Sequence, residues 1–330
     1  MKKKVKIIVA NPAGNITIFV KDRFERNMYP QVAGQLLEMD DLKGEQVAFI
    51  LDTPSCGRAE GKMEMCGLEF CGNGSRSFGL IKAKEMGIKG KGSVNVDVSG
   101  CDEILTIEVD TDTDYTKVKM PNPVRMSKID LSPLAIGDAS KKGDASKIGD
   151  ASKIGDVAKI VDAAERVEAA NRSDITDVPI VDFGGILHVI LRGVPATKEN
   201  FAAIKDYIMA KFNPPALGVM FCEEEEKATG KSIEIETDTD TAKTATCPMV
   251  PVVYVKDVDT TYFEGSCGSG TTACAAAFGL KQGDGIHHFV FPQPSGTIES
   301  TAHISGGRVE KVFIEGSVEL SPEMEVEIEI

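Results

Sequence analysis

Two cysteines, far apart in the chain, stand in segments that resemble each other. The first segment is Phe70-Cys71-Gly72-Asn73-Gly74-Ser75-Arg76 and the second is Ser266-Cys267-Gly268-Ser269-Gly270-Thr271-Thr272. Each reads Cys-Gly-(Asn/Ser)-Gly-(Ser/Thr) and runs into a stretch of helical character. One Cys-Gly-x-Gly carries little information, but two copies at two helix starts carry much more. A thiol at a helix N-terminus sits near the positive end of the macrodipole, an environment expected to lower its pKa and favour thiolate. The glycines let the backbone approach a ligand closely, and the free N–H groups of a first helical turn bind an anion such as a carboxylate. If both helix starts converge on one small site, it holds a carboxylate with one sulfur on each side of the adjoining carbon. One thiolate then removes a proton from Cα and the opposite thiol returns one to the other face. The carbon is inverted, and the helix-end N–H groups stabilise the charge that grows on the carboxylate. This chemistry needs neither pyridoxal phosphate nor a metal, so no cofactor is expected.

Plainer readings compete. Merely buried thiols leave the duplication unexplained. A zinc site from Cys66-x4-Cys71 and Cys267-x6-Cys274 has looser spacing than the short Cys or His turns of zinc centres. A reversible Cys71–Cys267 disulfide requires only that the sulfurs approach. A phosphate loop lacks the Gly-Lys-Ser/Thr that follows such loops.

The elements that must position these cysteines read as strands with few helices. In the first third, strands are expected at 5–10, 16–20, 47–51, 94–98 and 104–109, from β-branched content and length, with a helix at 74–86 ended by Gly87. Further on, strands are expected at 178–181, 187–191, 233–236, 250–255, 289–291, 297–302 and 309–318, and helices at 198–212 and 270–280. Between them, 137–160 repeats a hexad, GDASKK, GDASKI, GDASKI, GDVAKI. Six residues advance a helix by about 600°, so the apolar positions do not stay on one face. The stretch reads as a surface insertion, followed by a helical pattern at 155–170 through Val157, Ile160, Val161, Ala164 and Val167. The fold class is α+β in two similar halves. The boundaries expected are 1–123 with the first cysteine and 124–330 with the second, the last strands being free to return to the N-terminal half.

Composition narrows the function classes. The 330 residues carry 37 Lys and Arg against 51 Asp and Glu, a net charge of −14 that repels nucleic-acid backbones. No apolar run reaches the roughly 18 residues needed to span a bilayer. The opening apolar run is cut by Lys6 and ended by Asn11, Pro12 and Gly14, which reads as a first strand rather than a secretory leader. A cytoplasmic protein is expected, and its eight cysteines are then read as free thiols. The expected partners are one small amino acid, no nucleic acid and no membrane, with a homodimer left open.

Three anchors resemble the diaminopimelate epimerase superfamily of cofactor-independent racemases. They are Ala13-Gly14-Asn15 before 16–20, the run from Glu64 to Gly74 around Cys71, and Gly265 to Thr271 around Cys267. The resemblance implies two pseudo-symmetric halves, each a curled, mainly antiparallel sheet around a central helix, with the active site in the cleft. It implies Cys71 and Cys267 as the acid/base pair, Gly72, Asn73, Gly268 and Ser269 as carboxylate and amino-group contacts, and Asn15 as a polar contact near the reacting carbon. Two departures bear on substrate. The family's Gly-Asn-Pro-His segment is here Gly184-Gly185-Ile186-Leu187-His188, and its Arg-Gly before the second cysteine is absent from Thr260-Thr261-Tyr262-Phe263-Glu264. Without those groups a distal amino-acid end would leave charges unpaired. The motifs resemble the histidine racemase branch more closely, so histidine is the favoured substrate. Glu64, Glu69, Tyr262 and Glu264 are candidates for side-chain contacts, Glu264 foremost, and His188 reads as a core histidine. The rivals are diaminopimelate epimerase itself, proline racemase, and a non-catalytic amino-acid-binding or thiol redox protein.

Overall fold

The computed structural model describes residues 2–51, 57–134, 136, 175–223 and 244–330. The hexad repeat, the helical pattern at 155–170, the strand expected at 233–236 and Cys56 lie outside the described residues.

In chain order the elements are β1 (Lys2–Asn11), β2 (Thr17–Val20), α1 (Tyr29–Leu37), β3 (Gln46–Leu51), β4 (Gly61–Met65), α2 (Gly72–Glu85), β5 (Lys91–Val98), β6 (Leu105–Asp110) and β7 (Tyr115–Met120). There follow β8 (Arg125–Ile129), β9 (Val178–Asp182), β10 (Leu187–Arg192), α3 (Lys198–Phe212), β11 (Ala216–Cys222), β12 (Thr244–Thr246), β13 (Met249–Val255) and β14 (Thr260–Phe263). The chain ends with α4 (Gly268–Gln282), β15 (Gly285–Gln293), β16 (Gly296–Ser305), β17 (Arg308–Ser317), β18 (Glu319–Leu320) and β19 (Met324–Glu329). This is the sheet-dominated α+β architecture expected. Among the described residues no helix is long and apolar enough to cross a membrane.

The chain divides into two compact units, Met1–Asn122 with Ala228–Pro248 and Glu264–Ile330, and Pro123–Lys227 with Met249–Phe263. The first break falls at the Pro121–Pro123 stretch. Both cysteine segments belong to the first unit.

That unit is built on one 13-stranded sheet, in the order β12-β15-β16-β17-β7-β6-β5-β4-β3-β2-β1-β18 with β19 also on β1. Most pairings are antiparallel; β2–β3, β4–β5 and β12–β15 are parallel. Helix α2 packs on β4 to β7, and α4 packs on β15 to β17. Neither helix is a surface amphipath, because each is buried nearly all round. In α2, Phe78, Leu80, Ile81 and Ala83 enter a core with Val94, Val96, Ile107, Val118 and Ile314. In α4 the run Ala273-Cys274-Ala275-Ala276 is fully buried, and its small side chains let the helix lie close to the sheet. Each large apolar side chain so buried contributes about 1.5–3 kcal/mol.

The second unit has a six-stranded sheet, β14-β13-β11-β10-β9-β8. Its helix α3 has the bounds read from the sequence. Thr197 caps it by accepting from the Asn200 N–H at 3.1 Å, and Phe201, Ile204 and Ile208 face the sheet. His188 on β10 is fully buried with its ring edge-on to Phe183, and burial lowers its pKa to about 3, so it is a neutral core histidine.

Glu64 proves to be a fold-holding group. Its carboxylate accepts from Arg26 Nε at 2.9 Å and Nη2 at 2.6 Å, and from the Tyr29 hydroxyl at 3.2 Å, while Tyr29 stacks on Phe49.

Candidate active site

The duplicated motif is a duplicated structure. Cys71 is the N-cap of α2, extended at φ −128° and ψ 111°, and its sulfur accepts from the Gly74 N–H at 3.2 Å. Cys267 is the N-cap of α4 at φ −134° and ψ 111°, and its sulfur accepts from the Gly270 N–H at 3.4 Å. The next hydrogen bonds also match: Ser75 Oγ donates to Cys71 O and Thr271 Oγ1 donates to Cys267 O, both at 2.7 Å. A sulfur thus occupies the place where Ser, Thr, Asp or Asn usually serves a helix start.

The two helix starts lie together. A Cβ on Gly268 would stand 3.7 Å from Asn73 Cγ and 3.2 Å from Ile314 Cδ1, while one on Gly72 would meet Met120 Sδ at 2.6 Å and Ile314 Cδ1 at 2.9 Å. A side chain at Gly72 would have to displace the ends of the Met120 and Ile314 side chains.

A polar network surrounds Cys71. Gln46, at the start of β3, donates through Nε2 to Asn15 Oδ1 and Thr17 Oγ1, both at 2.8 Å, and to Cys71 Sγ at 3.3 Å. Asn15 donates to Glu45 at 3.0 Å and accepts from Asn73 Nδ2 at 3.4 Å; Asn73 Oδ1 in turn accepts from Arg76 Nε at 3.1 Å. The tight turn before Asn15, with Ala13 and Gly14 at positive φ, is pinned by Asn11 Oδ1, which accepts from the Gly14 N–H at 2.7 Å. Around Cys267, its N–H donates to Gln293 Oε1 at 2.8 Å, Ser269 Oγ lies 3.5 Å from its sulfur, and the Glu264 carboxyl is near enough to act on the thiol's ionisation. Glu45 Oε1 reaches to 3.2 Å of where a Cβ on Gly265 would be, which closes the ring between the two cysteines. Asn15, Gly72, Asn73, Gly268, Ser269 and Glu264 are therefore all gathered around the two sulfurs.

The expectation of a lowered thiol pKa is overturned. Burial pushes Cys71 up, against the pull of the Gly74 N–H and of Gln46. Cys267 is pushed well above the ordinary thiol range, first by burial and then by the Glu264 charge. Removing a thiolate from water outweighs two N–H donors. Glu264 is itself pushed up to about 7 by burial and by Glu45, against the pull of the Cys267 thiol.

That carboxyl gives a signed pH prediction. Its folded pKa lies above the ordinary carboxyl value, so the folded state binds the extra proton at mildly acidic pH and this group destabilises the fold as pH rises through about 7. Glu264→Gln is expected to flatten the fall in melting temperature between pH 5 and pH 8. The same change should move ionisation of Cys267, followed by pH-dependent alkylation of its peptide, to lower pH. An unmoved Cys267 ionisation would show that Glu264 does not act on the thiol.

Gln46, Glu45 and Gln293 were not singled out by the sequence. Among the remaining candidates, Glu69 is exposed and raises Cys71 and Cys66 through its charge. Tyr262 is about half exposed on β14 in the second unit. The seven described cysteines are free, and among the described residues no group of three His, Cys, Asp or Glu side chains is arranged to hold a metal ion.

Comparison with known proteins adds independent findings. A family model described as the histidine racemase CntK N-terminal domain matches residues 4–136 and 242–326. A histidine racemase of Fusobacterium nucleatum subsp. nucleatum is 26% identical over 331 residues, covering 97% of this chain and 96% of that protein. A histidine racemase of Staphylococcus aureus is 22% identical over 295 residues, covering 88% of this chain and 86% of that protein. Among solved structures, a phenazine biosynthesis protein of the PhzF family from Bacillus anthracis matches with a TM-score of 0.58 at 14% identity, covering 98% of this chain and 99% of that one. A hydroxyproline epimerase from Agrobacterium vitis, with bound trans-4-hydroxy-L-proline, matches at 0.53 and 11% identity, covering 98% and 91%. Such distant structural likeness carries the fold alone.

Proposed function

This chain belongs to the family of the histidine racemase CntK N-terminal domain, an amino-acid racemase and hence an isomerase, and we propose from that premise that it interconverts the enantiomers of histidine using Cys71 and Cys267. The observation that carries the mechanism is the pair of near-identical cysteine caps at two adjoining helix starts.

In this reading the substrate carboxylate lies against the free first-turn N–H groups of Gly72, Asn73, Gly268 and Ser269, where the positive helix ends favour an anion. One sulfur, as thiolate, takes the Cα proton and becomes a thiol. The other, a thiol, gives its proton to the opposite face and becomes a thiolate. No proton is consumed overall, and the pair ends with its protonation exchanged, ready for the mirror-image substrate. Burial serves this step twice: it excludes water, and it makes each thiolate a stronger base toward a weakly acidic Cα. Asn15 orients the reacting end through Gln46 and Asn73. The half-buried Glu264 and the exposed Glu45 supply carboxyls for the amino or imidazole nitrogen. The absence of Asn at 184–188 and of Arg at 260–264 favours a substrate without a second amino-acid end. Two free thiols that must not join imply a reducing compartment.

The test is solvent-deuterium incorporation at Cα of L-histidine, with chiral separation of the product, using purified protein free of pyridoxal phosphate. Deuterated D-histidine is the expected product. Activity on LL-diaminopimelate with none on histidine would select diaminopimelate epimerase instead. Histidine binding without exchange would select a non-catalytic binding protein.

A further inference from the structure

The hairpin joining β15 to β16 touches two parts of the site with its tip. Gln293, the last residue of β15, is buried. Its Oε1 accepts from the Cys267 N–H at 2.8 Å, and its Nε2 donates to Thr271 Oγ1 at 3.0 Å. Thr271 Oγ1 in turn donates to Cys267 O at 2.7 Å. One glutamine thus brackets both main-chain polar groups of the cysteine that starts α4. Two residues on, the Ser295 N–H donates to Gly265 O at 2.9 Å. The same tip lies against the turn that carries Asn15. A Cβ on Gly14 would stand 2.1 Å from Ser295 Cβ and 2.6 Å from Ser295 O, and one on Gly296 would stand 2.6 Å from both C and O of Ala13. A Cβ on Gly265 would meet Ser295 Oγ at 2.3 Å.

Three glycines therefore meet at one hairpin tip. At Gly296 the nearest atoms are all main chain, so no rotamer change could make room for a side chain. Pro294 and Ser295 are exposed, so the contact buries little apolar area and contributes little to the core. What it supplies is geometry. Gln293 pairs with Gly296, which leaves a loop of only Pro294 and Ser295, and proline fixes φ at the first of them. Such a tip is stiff. On one side it holds Gly265 and Cys267. On the other it abuts Ala13 and Gly14, next to Asn15. From Asn15 the contacts continue to the first cysteine, because Gln46 Nε2 donates to Asn15 Oδ1 at 2.8 Å and to Cys71 Sγ at 3.3 Å. All of these residues belong to the first unit.

We propose that the hairpin tip from Gln293 to Gly296 is a positioning clamp, which sets where the Cys267 end of the site stands relative to the Asn15 and Cys71 end. The proposal rests on the two-thiol reading. Inversion needs both sulfurs, one on each face of the same Cα, and so depends on their spacing. Exchange of the Cα proton on one face needs a single sulfur and does not. Gln293 holds the main chain of Cys267 rather than its sulfur, and it is a positioning residue. Gly296 permits the close approach to Ala13.

The experiment compares Gly296→Ala and Gln293→Leu with the unmodified protein in deuterated water, starting from each enantiomer of histidine. Inversion is read by chiral separation, and deuterium washed into unconverted substrate by mass spectrometry. Gly296 lies outside the left-handed region, so alanine there strains only the Ala13 contact. Both variants should lose inversion by about 10- to 100-fold, the effect of a misplacement of about 1 Å or less. Washout from one enantiomer should persist, so that washout per inversion rises. Gly307→Ala, in the turn between β16 and β17 at φ +68° with nothing within 4 Å of its Cβ position, is the control for simple destabilisation and should leave that ratio unchanged. An unchanged ratio in Gln293→Leu overturns the proposal whether or not Gly296→Ala folds. Amide hydrogen exchange on the same samples gives a reading that needs no turnover. Exchange should quicken in peptides covering 13–17 and 264–271 together; quickening confined to the hairpin overturns the clamp. Turnover with an unchanged ratio removes only the clamp, and quickened exchange in both segments without inversion of any amino acid by the unmodified protein removes only the racemase mechanism.

Discussion

Cys71→Ser and Cys267→Ser are each expected to lower histidine racemisation by about 10²–10⁴-fold, the range for loss of a positioned general acid or base. The structure explains why this effect is separable from misfolding. Each sulfur caps its helix by accepting one N–H bond, from Gly74 or from Gly270. A serine hydroxyl is a preferred cap and preserves that bond. What serine cannot preserve is proton transfer, because a hydroxyl is far too weak an acid to ionise on one face or to act as a matched donor on the other. Melting should therefore change little while inversion collapses. The two variants should differ from a dead protein in one respect. The remaining thiolate can still remove and return a proton on its own face, so one variant should wash deuterium into one enantiomer without producing the other. Chiral separation and the loss of the Cα proton signal read the two quantities independently. Racemisation at the unmodified rate in either variant would end the two-thiol mechanism.

The duplicated helix cap was legible because it is local. A cysteine, two glycines and a hydroxyl within five residues make a helix cap without help from the rest of the chain, so the duplicated motif could be read directly. Helix α3 and the strands at β1, β3 and β5 were legible for a similar reason: apolar periodicity is a property of consecutive residues. Helix α1 was missed although its signals were present, with Pro30 in the first turn and Tyr29, Val32, Ala33 and Leu36 buried at helical spacing. Strand β4, Gly-Lys-Met-Glu-Met, has little strand propensity and exists because β3 and β5 pair with it on either side. Gln46 reaches Cys71 because β2 and β3 pair in parallel with Thr17 opposite Gln46, a register no single segment announces. The thiol expectation failed for the same kind of reason. The helix-end donors are local and correctly foreseen, but the burial that overrides them is set by the whole sheet.

Gly100→Ala should damage both stability and turnover, although Gly100 lies outside the cysteine motif. It sits just after β5 at φ +68°, and a Cβ there would fall 2.2 Å from Phe70 N and 2.6 Å from Glu69 C. Those atoms are the backbone that delivers Cys71 to the head of α2, so no rotamer change relieves the overlap. The neighbouring Ser99 fixes the same backbone, its hydroxyl donating to Glu69 O at 2.9 Å and accepting from the Met65 N–H at 2.9 Å. Left-handed backbone costs a non-glycine residue about 1–2 kcal/mol, and forced overpacking adds about 1–3 kcal/mol, for an expected loss of about 2–5 kcal/mol. Because the relieving movement is of the Cys71 segment itself, and misplacement by about 1 Å can cost about 10²-fold, kcat should fall as well. Gly87→Ala is the matched control: it also has positive φ, at +73°, but nothing lies within 4 Å of its Cβ position. It should lose only about 1–2 kcal/mol by urea unfolding and keep its turnover. If the two variants unfold alike and retain equal kcat, the close approach at Gly100 does not hold the cysteine in place.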